Sequence, residues 1–356
     1  MESSTQDPII REIPAQIILG AVAFGKPKPT TRDHPLASDE ACHDLIEHFY
    51  TRGGRELDTA RVYQNGNCEA MLGRLGASKK IKIATKYNPQ LEGSPEQQLE
   101  QSLIALQTNS VPLFYLHMPS TKINLEDTLA SVQAAYESGK FTAFGLSNFP
   151  AWQVVEITQY CQRQGYVLPS VYQGVYNALN RTAEYELIPV LRNYGISYYT
   201  HGSLASGFLT GKYKRGIPPK EGIDRFAQKR RVAQYEARYL GRKEMFDALE
   251  TITAAANAAG ISSLLEATIR WTRYHSAADG ALGDAILVGV SRLEQLTPIM
   301  DAMDQGPLPI SVVEAFEIAG DFVKMKSEYY LQYPYPKQGS PWAVSYTHLR
   351  AHETSR

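Results

Sequence analysis

The sequence predicts a (β/α)8 barrel with its site at the C-terminal ends of the strands, and three observations carry that prediction. Short apolar runs of strand character alternate with segments of helical periodicity about eight times along the 356 residues. Polar residues recur at or just past the ends of those runs, at Asp58, Lys86, His117, Ser147, Asn148 and Gln173. No Gly-x-Gly-x-x-Gly follows the first strand, which argues against the doubly wound dinucleotide fold. Parallel strands closed into a barrel would point all of those polar ends into one mouth.

Taken in order, Ile17 to Leu19 is the first apolar run, and Gly20 to Gly25 leads into a Pro/Thr-rich loop. Asp39 to Tyr50 places Cys42, Leu45, Ile46 and Phe49 on one helical face, with acids in its first turn and Gly53-Gly54 beyond its end. The run ending in Asp58, the Tyr63 loop and a short helix from Asn67 to Leu75 come next. Lys80 to Lys86 is strand-like, and Ser94-Pro95-Glu96-Gln97 is a capping-box signature opening a helix with Leu99, Leu103 and Leu106 inward. Val111 to His117, a helix from Asn124 to Gly139, and Thr142 to Asn148 repeat the pattern. So do a helix from Pro150 to Gln164, Ser170 to Gln173, a helix from Glu184 to Asn193, and Ile196 to Thr200. A Gly/Ser-rich loop and a basic segment to Tyr239 precede two helical patterns, Arg242 to Ala259 and Leu264 to Tyr274. Ala285 to Val290 is the last strand. One domain, residues 17–335, is expected, with an N-terminal extension before it and a tail after it.

Bulk properties exclude several function classes. At 43% hydrophobic the chain buries a large core, and 36 basic against 37 acidic residues give a formal charge of −1. That balance offers no electrostatic basis for nucleic acid or an anionic membrane as partner. The three cysteines, Cys42, Cys68 and Cys161, lack paired or CxxC spacing, so neither a disulfide framework nor a metal site is expected. No secretory signal is visible at the N-terminus, and the expected location is cytoplasmic. The uncharged stretch between Arg192 and Lys212 carries glycines, Asn193, His201 and hydroxyls, and is not a membrane span.

The chemistry concentrates at Gly54-Arg-Glu-Leu-Asp58-Thr-Ala-Arg-Val-Tyr63. A phenol, with an ordinary pKa of about 10, needs a cationic neighbour if it is to exchange protons readily near pH 7. Lys86 ends the next strand and His117 the one after. With the local context Leu-Asp-Thr-Ala, Ile-Ala-Thr-Lys and Tyr-Leu-His, the chain resembles the aldo-keto reductases, especially the aflatoxin-aldehyde and succinic-semialdehyde reductase branch, from about Ile17 to about Tyr335. The resemblance implies a catalytic tetrad of Asp58, Tyr63, Lys86 and His117. Hydride would pass from NADPH to an aldehyde or ketone carbon, with Tyr63 as proton donor. Lys86, oriented by Asp58, would lower the phenol pKa, and His117 would hydrogen-bond the carbonyl oxygen.

The same resemblance assigns the nicotinamide carboxamide to Ser147, Asn148 and Gln173. The Gly202-Ser-Leu-Ala-Ser-Gly207 loop has phosphate-loop spacing without the Lys-Ser/Thr of a Walker loop, and it follows the seventh strand, where barrels often bind phosphate. Ser203, Leu204, Gly207 and Lys212 are its candidate cofactor contacts. Gly289, Ser291, Arg292 and Gln295 resemble the segment that grips the adenosine 2′-phosphate, and a guanidinium suits that dianion, favouring NADPH/NADP⁺. Two positions depart from the family pattern. Ile299 replaces an asparagine, and His201 replaces the aromatic residue that stacks on the nicotinamide. A His201 with an ordinary pKa would protonate near pH 6.5 and disfavour NADP⁺ relative to NADPH.

A small carbonyl compound is the expected partner, with the choice between monomer and homodimer open. Arg225 and Phe226, with Tyr63 and His117, are the candidate substrate contacts; Phe226 and Tyr329-Tyr330 either line an acceptor pocket or only cover the barrel. The alternative reading is a cofactor-binding regulatory subunit resembling potassium-channel β subunits. The tail, residues 336–356, ends in Ser345 to Arg356, which lacks useful periodicity and reads as translated adapter sequence. A flap using His348 or His352 is its rival reading.

Overall fold

A computed structural model of the chain describes residues 9–25, 36, 38–220, 226 and 236–323. Eight parallel strands close into a barrel in chain order: β1 (Gln16–Gly20), β2 (Glu56–Asp58), β3 (Lys82–Tyr87), β4 (Val111–Leu116), β5 (Phe141–Ser147), β6 (Pro169–Val175), β7 (Ser197–His201) and β8 (Ala285–Gly289). Closure comes from β1 pairing with β8, with Gly20 opposite Gly289. The predicted (β/α)8 architecture is the observed one.

Among the described residues ten α-helices accompany the strands: α1 (Asp39–Thr51), α2 (Asn67–Arg74), α3 (Pro95–Leu106), α4 (Leu125–Glu137), α5 (Ala151–Gln164), α6 (Leu187–Asn193), α7 (Lys243–Ala258), α8 (Leu264–Tyr274), α9 (Leu293–Met303) and α10 (Ile310–Phe322). The local sequence explains where several begin. Ser38, Asn124 and Ser263 accept hydrogen bonds from the first turns of α1, α4 and α8, and Ser94 forms the expected capping box with Gln97. Cys42, Leu45, Ile46 and Phe49 are buried together, as the helical spacing required.

The helix expected from Glu184 divides into a 3-10 turn, Thr182–Glu184, and α6. Two helices, α9 and α10, were not expected from the sequence. Pro298 interrupts the periodic pattern of α9, and α10 lacks a side-chain N-cap, so neither carried a clear start signal. α10 packs on α7, and its Val312, Val313, Phe316 and Ala319 are buried there.

Strand pleating alternates side chains between the lumen and the surrounding helices. Ile18, Ala84, Leu113, Tyr115, Val171, Tyr199, Ala285 and Leu287 form a separate cluster inside the barrel. The same parity, carried one step further along each strand, brings Asp58, Lys86, His117, Ser147, Gln173 and His201 to the mouth. The tail and Arg225 lie outside the described residues.

Candidate active site

The site is built outward from a buried ion pair. Lys86 Nζ, fully buried at the end of β3, contacts Asp58 Oδ1 at the end of β2 and donates to the Thr59 carbonyl at 2.8 Å. Gln173 reaches from β6 and donates Nε2 to the other carboxylate oxygen, Asp58 Oδ2, at 2.8 Å. Burial lowers the Lys86 pKa, and the Asp58 charge and hydrogen bond oppose that shift. A buried charge is tolerable only when paired and hydrogen-bonded, and both members of this pair are.

Tyr63 follows on the β2–α2 loop, at the start of a 3-10 turn, Tyr63–Gly66. Lys86 Nζ lies 5.3 Å from its ring centroid. The His117 ring meets the Tyr63 ring edge-on, with centroids 5.7 Å apart and planes at 79°. Four side chains from three strands and one loop thus occupy one mouth. The pKa expectation for Tyr63 needs correction. Burial first, then the Asp58 charge, push the phenol well above its ordinary value. Tyr63 is therefore a protonated phenol at neutral pH. Burial and the Lys86 charge push His117 down to about 3, so its imidazole is neutral. His117 Nδ1 is buried without a partner among the described residues.

The candidate cofactor residues lie around the same opening. Ser147 and Gln173 are opposite each other in the β5–β6 register, and Asn148 takes a left-handed conformation at φ 65°. Its Nδ2 donates to the His117 carbonyl and to Ser147 Oγ, each at 2.9 Å. The amide nitrogen of Gln173, expected at a carboxamide, already serves Asp58, so this residue joins the tetrad to the expected cradle. His201 ends β7 half-buried, and burial with the Lys86 charge pushes it down to about 4. This corrects the expectation that it titrates near 6.5.

Beyond His201 the backbone turns left-handed at Ala205, Ser206 and Gly207, with φ 48°, 59° and 95°. A Cβ on Gly207 would stand 3.1 Å from Lys212 Cε, so glycine lets the lysine stem fold against the loop. Ser203 Oγ is buried with no partner among the described residues. That hydroxyl, the left-handed turn and the nearby ammonium fit a phosphate-bearing ligand better than an ordinary surface loop. Leu204 lies half-buried at the same turn. After β8 and Gly289, Gln295 Oε1 accepts from Ser291 N at 2.8 Å and Ser291 Oγ at 3.0 Å. Arg292 is exposed and extended at the N-cap of α9. Ile299 lies on the buried face of α9 and packs into the core.

Of the two readings the sequence leaves open for Phe226, its burial supports cover for the barrel. It is 1% exposed and stacks on Tyr213 at 4.3 Å and on Tyr239 at 5.6 Å, so it packs the interior and lines no open acceptor pocket. Sequence reasoning also missed Arg61, Glu69 and Thr85, which hold the Tyr63 loop, and the half-buried Glu56 one step below Asp58. The only advance signal for Glu69 was an acid in the first turn of a short helix, which is also the commonest surface pattern. Among the described residues no cluster of three His, Cys, Asp or Glu has the geometry to hold a metal ion, and no helix is long and apolar enough to cross a membrane.

The aldo/keto reductase family model matches residues 16–321, almost the whole barrel. This chain belongs to the aldo/keto reductase family. Human aldo-keto reductase family 7 member A3 is 41% identical over 320 residues, covering 86% of this chain and 94% of that protein. Human aflatoxin B1 aldehyde reductase member 2 is 40% identical over 326 residues, covering 85% and 90%. The glycerol dehydrogenase of Gluconobacter oxydans superposes with a TM-score of 0.68 at 20% identity, covering 92% and 99%, which speaks for the fold alone. Membership makes the chain an oxidoreductase of carbonyl compounds that uses a nicotinamide cofactor.

Proposed function

We propose that this family member reduces an aldehyde to an alcohol with NADPH, using Tyr63 as the proton donor. The observation that carries the reading is the convergence of Tyr63 and His117, ring against ring, over the buried Lys86–Asp58 pair. When bound, the reduced nicotinamide supplies the hydride that adds to the carbonyl carbon. His117, neutral and half-buried, with its buried Nδ1 unpartnered among the described residues, would orient the carbonyl oxygen. Tyr63, protonated at neutral pH, would donate its proton to the oxygen as negative charge develops there. The adjacent ammonium of Lys86 would stabilise the phenolate left behind, and Asp58 holds that ammonium in place.

Ser147, Asn148 and Gln173 would hold the carboxamide, and the Ser203–Gly207 loop with Lys212 would hold the phosphates. Arg292 supports the choice of NADPH over NADH, because an exposed guanidinium beside a helix N-terminus suits a phosphate dianion. The human relatives named for an aflatoxin aldehyde support an aldehyde as acceptor.

NADPH oxidation with a panel of aldehydes tests the activity, and Tyr63→Phe tests the donor. The variant keeps ring volume and the cofactor cradle, so turnover should fall by at least about a hundredfold while NADPH affinity stays within about twofold. More than a tenth of the parent rate would reject Tyr63 as donor.

A further inference from the structure

The loop that carries Tyr63 is conformationally demanding. Gln64, Asn65 and Gly66 follow it with φ of 48°, 57° and 86°, and two successive non-glycine residues in the left-handed region need a surrounding structure that enforces them. The enforcing contacts form a closed circuit. Arg61, two residues before Tyr63, donates its main-chain N–H to the Lys86 carbonyl at 3.3 Å and its Nη1 to Glu69 Oε2 at 2.8 Å. Glu69, at 0% exposure on α2, accepts from Thr85 Oγ1 at 2.6 Å through its other oxygen. Thr85 is the residue before Lys86, so the circuit returns to the strand that holds the tetrad ammonium. Gly66 closes over the guanidinium, since a Cβ there would stand 2.7 Å from Arg61 Nη1.

A fully buried carboxylate is costly, and here both of its oxygens are spent on the two elements that must stay in register, the Tyr63 loop and the Lys86 strand. We propose that Glu69, acting through Arg61 and Thr85, is a positioning residue that fixes the Tyr63 phenol relative to Lys86. The proposal rests on the reading of Tyr63 as proton donor. It gives the Arg61–Glu69 pair no contact with substrate or cofactor. Its effect is on proton delivery, because a donor displaced by about 1 Å from its productive place costs on the order of a hundredfold in rate.

The test uses the full chain with NADPH and an aldehyde substrate, comparing Glu69→Gln and Arg61→Met with the parent and with Tyr63→Phe. For both positioning variants kcat is expected to fall about tenfold to a hundredfold, with the aldehyde KM and the NADPH Kd within about twofold. The solvent deuterium effect on kcat should rise, as proton transfer becomes a larger part of the slow step. A kcat within twofold of the parent for both variants, beside an inactive Tyr63→Phe, overturns the positioning role and leaves the donor assignment standing. Loss of NADPH binding in parallel with kcat in both variants overturns it too, since the pair would then only hold the fold. Glu69→Gln keeps the side-chain volume and leaves only the partly exposed Arg61 unpaired, so it is the variant expected to fold should Arg61→Met, which strands the buried carboxylate, not. An active Tyr63→Phe overturns both readings.

Discussion

Gln173 Nε2 lies 2.8 Å from Asp58 Oδ2, spanning the barrel from β6 to β2. The carboxylate therefore has one oxygen on Lys86 and the other on a side chain at the cofactor side of the mouth. Gln173→Leu leaves that second oxygen buried without its donor. The expected result is a loss of about 1–3 kcal/mol in unfolding free energy, measured by urea denaturation, with weaker NADPH binding. Unchanged stability and affinity would mean that the bond contributes nothing in solution.

Arg292 has no hydrogen bond capping α9 and stands exposed beside its N-terminus. Arg292→Ala should weaken NADPH by about 1.5–3 kcal/mol, roughly tenfold to a hundredfold, and NADH hardly at all. Equal losses for the two cofactors, measured by fluorescence titration, would assign the arginine to structure.

His201 gives a pH prediction opposite to the one its residue type suggests. Its pKa is held near 4, and a cationic NADP⁺ ring beside it would lower it further, so imidazole charge is absent across the neutral range. The ratio of NADP⁺ to NADPH affinities should stay flat from pH 5.5 to 8, in the parent and in His201→Tyr alike. A step in the parent near pH 6.5, missing from the tyrosine variant, would show that His201 titrates as an exposed group.

Glu56 sits one step below Asp58 on the same face of β2, and burial with the Asp58 charge pushes it up to about 7. Its folded pKa lies above its ordinary value of 4.5. The folded state thus binds this proton more tightly than the unfolded one, and the resulting stability is lost as pH rises from about 4.5 through 7. Glu56→Gln should raise the melting temperature at pH 8 and change it far less at pH 5. A substitution that is equally stabilising at both values would point to packing and not to charge.

Much of the site was legible because strand ends are legible. Asp58, Lys86 and His117 each close a short apolar run, and period-two alternation then determines which side chains face the lumen. What could not be read was anything set by a partner distant in sequence. Phe226 beside Arg225 looked like a rim residue, yet its environment comes from Tyr213 and Tyr239. Glu69 looked like a solvated first-turn acid until Arg61 and Thr85 were seen to enclose it. The phenol's pKa was misjudged for a related reason, because the burial that raises it is set by how the loop packs. α10 went unread since tertiary burial against α7 stabilises it, without a cap to announce it.

Because the strands follow chain order around the closed barrel, position along the polypeptide translates into compass bearing around the mouth. The groups assigned to proton delivery come from residues 58 to 117, on the arc of β2 to β4. Those assigned to the nucleotide's phosphates come from residues 203 to 295, past the ends of β7 and β8, while the carboxamide is assigned to Ser147, Asn148 and Gln173 from β5 and β6. Chemistry and cofactor choice are thereby separable traits. A substitution at Arg292 or Gln295 lies outside the circuit of Arg61, Glu69, Thr85 and Lys86, so its effect is expected to add to changes on the first arc, whereas His201 feels the Lys86 charge and is coupled to it. Gln173, with one hand on Asp58, and Asn148, bonded to the His117 carbonyl, stand between the arcs, and at these two residues the traits stop being independent.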